Sequence, residues 1–327
     1  MKVVNTFHQP STVVASLKCA LSSDPELSHL VVAKVARIEV SSIQPEGLKH
    51  ECSSDIWGRV ICMRAVAAKD PIRSNILLLT DHPDPRLLLL TYGTRDGEAY
   101  LECTWHCSLY DRAARHAEFF TDITVAPSRD LAVVSCYVGK LKVIHFSEGD
   151  VKTEFDVNLP ELNVYALSIL HSDTENIYPI AIVHTDHMQR TQLIARELDV
   201  EKQDLPLALS PVLPNTVLPG NVFPDVDAPF MLIPIPSFAI KSEDDDDQWG
   251  QCLGGVLILG GRKILFYELA SVERQKRQKN KDKRQSKRKS SGNDQQVALA
   301  KQKDTEREAK KIKPRMSVKW PWSEVTA

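Results

Sequence analysis

Leu30-Val-Val-Ala-Lys-Val-Ala-Arg-Ile-Glu-Val40 holds two short apolar runs, Leu30–Ala33 and Ile38–Val40, either side of a brief polar break. β-Branched residues pack well on a pleated surface, so this pattern predicts a tight β-hairpin. The same shape returns. Ile76-Leu-Leu-Leu-Thr80 breaks at Asp81-His-Pro-Asp-Pro85 and resumes as Leu87-Leu-Leu-Leu-Thr-Tyr92. Leu131-Ala-Val-Val-Ser-Cys-Tyr-Val138 breaks at Gly139-Lys140 and resumes as Leu141-Lys-Val-Ile-His-Phe146. Ile180-Ala-Ile-Val-His184 resumes as Gln192-Leu-Ile-Ala-Arg196, and Val256-Leu-Ile-Leu259 resumes after Gly260-Gly261 as Ile264-Leu-Phe-Tyr-Glu-Leu269.

The five hairpins begin near residues 30, 76, 131, 180 and 256, so they are spaced by 46, 55, 49 and 76 residues. The first three spacings approach the roughly 40–50 residues of one β-propeller blade. The fourth is stretched by a proline-rich insertion. An all-β sandwich also shows many short strands, but its strands recur more closely, which favours the propeller. No Trp-Asp repeat signature accompanies the pattern. The first strand is placed at Thr12–Lys18 and the strand after the first hairpin's turn at Ile56-Trp-Gly-Arg-Val-Ile-Cys-Met63. Eight prolines lie between residues 205 and 236, including Leu232-Ile-Pro-Ile-Pro236. Proline lacks a backbone donor, so this segment reads as an extended loop rather than a central strand, with Phe223, Phe230 and Met231 as anchors.

The net charge of −2 hides a division. Residues 271–315 hold 17 Lys/Arg against 6 Asp/Glu, for +11, and residues 1–270 carry −13. The basic segment has almost no apolar residues and is expected to be disordered or a solvated helix. Lys276, Arg277, Lys283, Arg284, Lys287, Arg288, Lys289, Lys310 and Lys311 are its candidate nuclear-localisation or phosphate-binding residues. A plain solvated insertion between blades is the alternative, because charge runs are nonspecific. The acidic run Glu243-Asp-Asp-Asp-Asp247 is either a partner for that segment or an exposed loop. Aromatic residues make up 6% and none interleave the basic run, against a base-stacking module. The acidic body would repel a phosphate backbone, so nucleic-acid contact is expected to be weak and indirect.

No apolar run approaches the roughly 20 residues of a bilayer span, and Met1–Pro10 contains no signal-peptide core. Seven cysteines without regular spacing suit reduced thiols of the nucleus or cytosol. Cys103-Thr-Trp-His-Cys107 invites a zinc reading completed by His82, His116, His184 or His187. On a regular strand Cys103 and Cys107 share one face and His106 takes the other, so buried structural thiols are the stronger reading. His184-Thr-Asp-His187 is expected at a solvated hairpin turn. There is no Gly-x-Ser-x-Gly elbow and no phosphate-binding loop followed by a helix. The residues therefore imply no catalytic group, no metal and no cofactor.

Ala33-Lys-x-x-Arg37-Ile-Glu-Val40, Pro45-Glu-Gly-Leu48 and Ile56-Trp-Gly-Arg-Val60 stand in an order and spacing that resembles a known family. It is the family of the large subunit of UV-damaged-DNA-binding protein, which also holds the large propeller subunits of splicing factor 3b and of the cleavage and polyadenylation specificity factor. Gly139-Lys-Leu-Lys-Val-Ile144, Leu159-Pro-Glu-Leu-Asn-Val164 and Gly254-Gly-Val-Leu-Ile-Leu-Gly260 extend the resemblance to about residue 270. The resemblance implies an incomplete seven-bladed propeller, with five to six blades in residues 1–270. Residues 271–315 would then be an insertion and residues 316–327 the start of a further blade, as in a truncated chain. It further implies a scaffold of a cullin-4 RING ubiquitin ligase that binds WD-repeat substrate receptors and the other propellers of a full-length chain. Cullin contact would lie in a domain outside this chain. The expected place of action is the nucleus, with the cytoplasm as alternative. A splicing or polyadenylation subunit with nucleic-acid association is one rival reading, and a truncated fragment without function is the other.

Overall fold

In a computed structural model, the described residues are 12–81, 84–172, 174, 176–213, 215–218, 231–241, 249–260, 263–269 and 316–319. All regular structure among them is strand, and no helix among them is long and apolar enough to cross a membrane. The strands form five four-stranded antiparallel sheets and one two-stranded sheet.

The first sheet runs β1 (Val13–Cys19), β2 (Ser28–Lys34), β3 (Arg37–Gln44) and β4 (Gly47–Asp55), side by side in chain order. The second repeats this with β5 (Val60–Ala67), β6 (Ser74–Thr80), β7 (Arg86–Arg95) and β8 (Glu98–Ser108). The third holds β9 (Asp122–Val125), β10 (Leu131–Tyr137), β11 (Lys140–Ser147) and β12 (Asp150–Asn158). The fourth holds β13 (Asn163–Ile169), β14 (Ile177–Thr185), β15 (Thr191–Asp199) and the short β16 (Thr216–Val217). β17 (Met231–Ile235) is followed by β18 (Phe238–Lys241) and β19 (Trp249–Cys252), which pair only with each other. β20 (Gly255–Leu259), β21 (Lys263–Glu268) and β22 (Met316–Lys319) join β17 to make the fifth sheet.

All five hairpins legible in the sequence are present, and each is the central pair of its sheet. That position explains their composition. A strand covered on both faces reads as a continuous apolar run, and every residue of β6 and of β10 is buried. The outer strands β4, β8 and β12 alternate or lie open, and read as polar. Two connections use tight turns whose central residues both take positive φ: Asp96 (54°) with Gly97 (86°), and Glu148 (51°) with Gly149 (87°). This conformation matches the twist of a two-residue hairpin. At Gly149 a Cβ would also sit 2.5 Å from the Lys69 backbone nitrogen.

The chain divides into two compact units. One comprises residues 1–116, 121–136 and 142–155. In its core, Val31, Ala33, Ile38 and Val40 of the first sheet meet Val60, Met63, Ile76, Leu78 and Leu90 of the second. The other comprises residues 117–120, 137–141 and 156–327. There Ala166, Ala181, Val183 and Leu193 of the fourth sheet meet Leu232, Val256, Ile258 and Leu265 of the fifth.

Four expectations need correcting. β5 begins at Val60, because Ile56–Arg59 forms a connection in which Gly58 takes a φ of 123°. The proline-rich segment contributes a strand as well as loop: Pro234 lies in β17 opposite Val256. β17 is an edge strand, the place in a sheet where a proline is tolerated. Met231 does not anchor that segment, being 54% exposed, and the buried side chain is Leu232; Phe223 and Phe230 fall outside the described residues. Residues 316–319 do not open a new blade. They pair with β21, Phe266 opposite Met316, so the basic segment is inserted between the third and fourth strands of one sheet.

Candidate interaction surface

In each of the first four sheets the turn between second and third strands and the connection leaving the fourth strand lie at the same end. A backbone bond repeatedly stitches the two. Ile56 and Val60 donate N–H to the carbonyls of Ala36 and Val35, both at 2.8 Å. Leu109 donates to Pro85 (2.8 Å), Leu159 to Gly139 (2.9 Å) and Leu218 to Thr191 (2.9 Å). Held this way, the connections present apolar side chains to solvent: Val35, Trp57 and Tyr110 in the first unit, Leu162 and Met188 in the second. The charges beside Trp57 are paired. Arg37 meets Asp55 at 3.0 Å, Arg59 meets Asp81 at 3.8 Å and Lys34 meets Glu39 at 2.6 Å. Exposed apolar side chains on connections held by backbone bonds are features that a protein surface can cover.

Two buried polar clusters brace this scaffold. In the second unit Arg196 of β15 donates from Nε and Nη2 to both carboxylate oxygens of Glu161, at 3.2, 3.1 and 2.5 Å. Its Nη1 donates to the carbonyls of Pro206 and Leu207, at 3.0 and 2.5 Å. One guanidinium thus ties the connection carrying Leu162 to the segment following β15. The Met188 turn is fixed by Asp186, whose carboxylate accepts from the Met188 and Arg190 amides and from Arg190 Nε and Gln192 Nε2.

In the first unit His29 is fully buried. Its Nδ1 accepts the Leu21 N–H at 3.3 Å, and its Nε2 lies 3.5 Å from Glu51, to which Tyr92 donates its hydroxyl at 2.5 Å. Burial holds the imidazole below its ordinary pKa, with Glu51 partly opposing. Burial also lowers His145 and His184. The unfolded chain therefore binds protons first as pH falls below about 6.5, and stability is lost from there down to the folded pKa values. The thermal midpoint is expected to fall between about pH 7 and 5.5, with a shallower slope for His29→Gln. A flat profile would contradict a neutral His29 in the folded chain.

None of the seven cysteines forms a disulfide. The shared face expected of Cys103 and Cys107 is not observed. Trp105 opposes Leu89 but Cys103 opposes Leu90, so Thr104 is an extra residue on β8. This bulge puts Cys103, opposite Leu90, and Cys107, opposite Leu87, on opposite faces, while His106, opposite Leu88, joins Cys103. Among the described residues no three His, Cys, Asp or Glu side chains converge as a metal requires. His184 belongs to β14 and is half-buried, against the expected solvated turn; His187 is exposed, and His82 lies outside the described residues. Burial pushes the Cys19 thiol up to about 11 and raises Cys62 as well. Alkylation of the native chain at about pH 8 is expected at exposed Cys103 first, with Cys19 and Cys62 reacting only on unfolding, as read by mass spectrometry.

Lys276, Arg277, Lys283, Arg284, Lys287, Arg288, Lys289, Lys310 and Lys311 all lie outside the described residues, as does the acidic run 243–247. Sequence reading missed Trp57, taken there as a strand residue, and also Arg196 and His29. A Trp-Gly pair between two strands was the available signal for the first; nothing local marks the other two.

Repeated four-stranded antiparallel sheets, each with a buried central hairpin, define a partial β-propeller. Residues 12–311 match the family model described as the RSE1/DDB1/CPSF1 first beta-propeller, and the chain belongs to that family. It is similar to DNA damage-binding protein 1 of Caenorhabditis elegans, 22% identical over 242 residues, covering 73% of this chain and 18% of the relative. The rice protein of the same name is 23% identical over 272 residues, covering 83% and 22%. DNA damage-binding protein 1a of Arabidopsis thaliana is 25% identical over 202 residues, covering 62% and 18%. The chain thus spans about a fifth of the length of these curated relatives.

Proposed function

We propose that this chain is a non-catalytic interaction scaffold, the receptor-binding propeller of a cullin-RING ubiquitin ligase adaptor acting in the DNA-damage response. The observation that carries this reading is the family match across residues 12–311, with curated relatives named as DNA damage-binding proteins. The bonded connections with their exposed apolar side chains support it, since recruitment by surface complementarity needs held loops and no bond chemistry. The partners are WD-repeat substrate receptors. The place of action is the nucleus, with Lys276, Arg277, Lys283, Arg284, Lys287, Arg288, Lys289, Lys310 and Lys311 as the import signal or as a weak phosphate contact.

The test is affinity purification of the tagged gene product from its native cells, followed by mass spectrometry. WD-repeat receptors together with a cullin are the expected recovery. Splicing or polyadenylation subunits in their place would move the chain to the RNA-processing branch of the family. Replacing the nine basic residues by glutamine is expected to shift a fluorescent fusion from nucleus to cytoplasm; unchanged localisation would remove the import role.

A further inference from the structure

Trp57 is 95% exposed, more than any other large apolar residue among those described. Leaving an indole in water forgoes the burial that ordinarily makes tryptophan favourable in a fold. Its backbone is nevertheless well held. The flanking Ile56 and Val60 amides are bonded to Ala36 and Val35, and the Arg59 carbonyl accepts the Asp81 N–H at 2.8 Å. Gly58, at φ 123°, packs so closely that a Cβ there would stand 3.3 Å from Thr80 Cβ. The half-exposed Val35 lies at the strand turn to which this connection is bonded. Tryptophan is enriched among the few residues that carry most of the binding energy of protein interfaces.

We infer that Trp57, on the connection bonded to the Val35–Ala36 turn, is the anchor by which this domain inserts into an uncharged apolar socket on a partner protein. This rests on the scaffold reading above and names the residue through which that scaffold engages. The charge pattern selects the occupant. Nucleic acid that stacks on an aromatic also needs cations along its backbone. Here Lys34, Arg37 and Arg59 are each matched by Glu39, Asp55 and Asp81, so the neighbourhood offers little net positive charge. A complementary partner is therefore itself neutral at the contact, with a pocket the size of an indole.

The experiment places a photo-crosslinking benzoylphenylalanine at position 57 of the tagged chain in its native cells. In parallel, the partners captured by the unsubstituted chain are quantified against Trp57→Ala. A crosslink to a different protein is expected, with that protein captured at least tenfold less by Trp57→Ala and an unchanged melting temperature. A crosslink to nucleic acid or to a second copy of the chain overturns the inference. Capture of WD-repeat receptors that Trp57→Ala leaves undiminished overturns it while the scaffold reading stands. If the unsubstituted chain captures no partner protein, both fall.

Discussion

Replacing Glu161 by alanine is expected to lower the unfolding free energy by about 3–5 kcal/mol, read from the urea midpoint. Arg196 is buried and brings a guanidinium cation into the interior. In the intact chain that charge meets the Glu161 carboxylate twice over and two backbone carbonyls. Truncating Glu161 removes the counter-charge but leaves the cation buried, so the penalty exceeds the net worth of the pair. Glu161→Met combined with Arg196→Met is expected to recover much of the loss, because neither charge then has to be desolvated. A cost below about 1 kcal/mol for the single variant would show that water reaches Arg196 and that the segment after β15 is held by other contacts.

Leu78→Ala is expected to cost about 2–5 kcal/mol by the same measurement. Leu78 is wholly buried at the centre of β6, opposite Met63 of β5 and Leu88 of β7. It also packs with Val31 and Ile38 of the first sheet, so its loss opens a void where two sheets meet. Leu48→Ala is the control. That side chain is 61% exposed at the start of β4, and its removal is expected to move stability by less than about 0.5 kcal/mol. Equal effects at the two positions would mean that the first two sheets share no common core.

The hairpins were legible because side-chain patterning is a local record of burial. Ile76–Leu79 and Leu131–Val134 are unbroken apolar runs, and each proved to be a strand covered on both faces. The family wording Ala33–Leu48 falls on the first such hairpin, and with the blade-like spacing it points to the propeller. The exposed connections were far less legible. Trp57 reads as a strand residue, yet it lies in the connection before β5 and is exposed.

Sequence alone therefore determined the fold class, the central hairpins and the division between an acidic body and a basic segment. These depend on polarity and charge, which each residue carries wherever it is placed. Tertiary structure decided which face Cys103 presents, where Pro234 is tolerated, which strand Met316–Lys319 joins, and that Glu161 meets Arg196. Each of these is set by hydrogen bonds or contacts between segments far apart in the chain. One inserted residue such as Thr104 reverses a face without altering the composition around it.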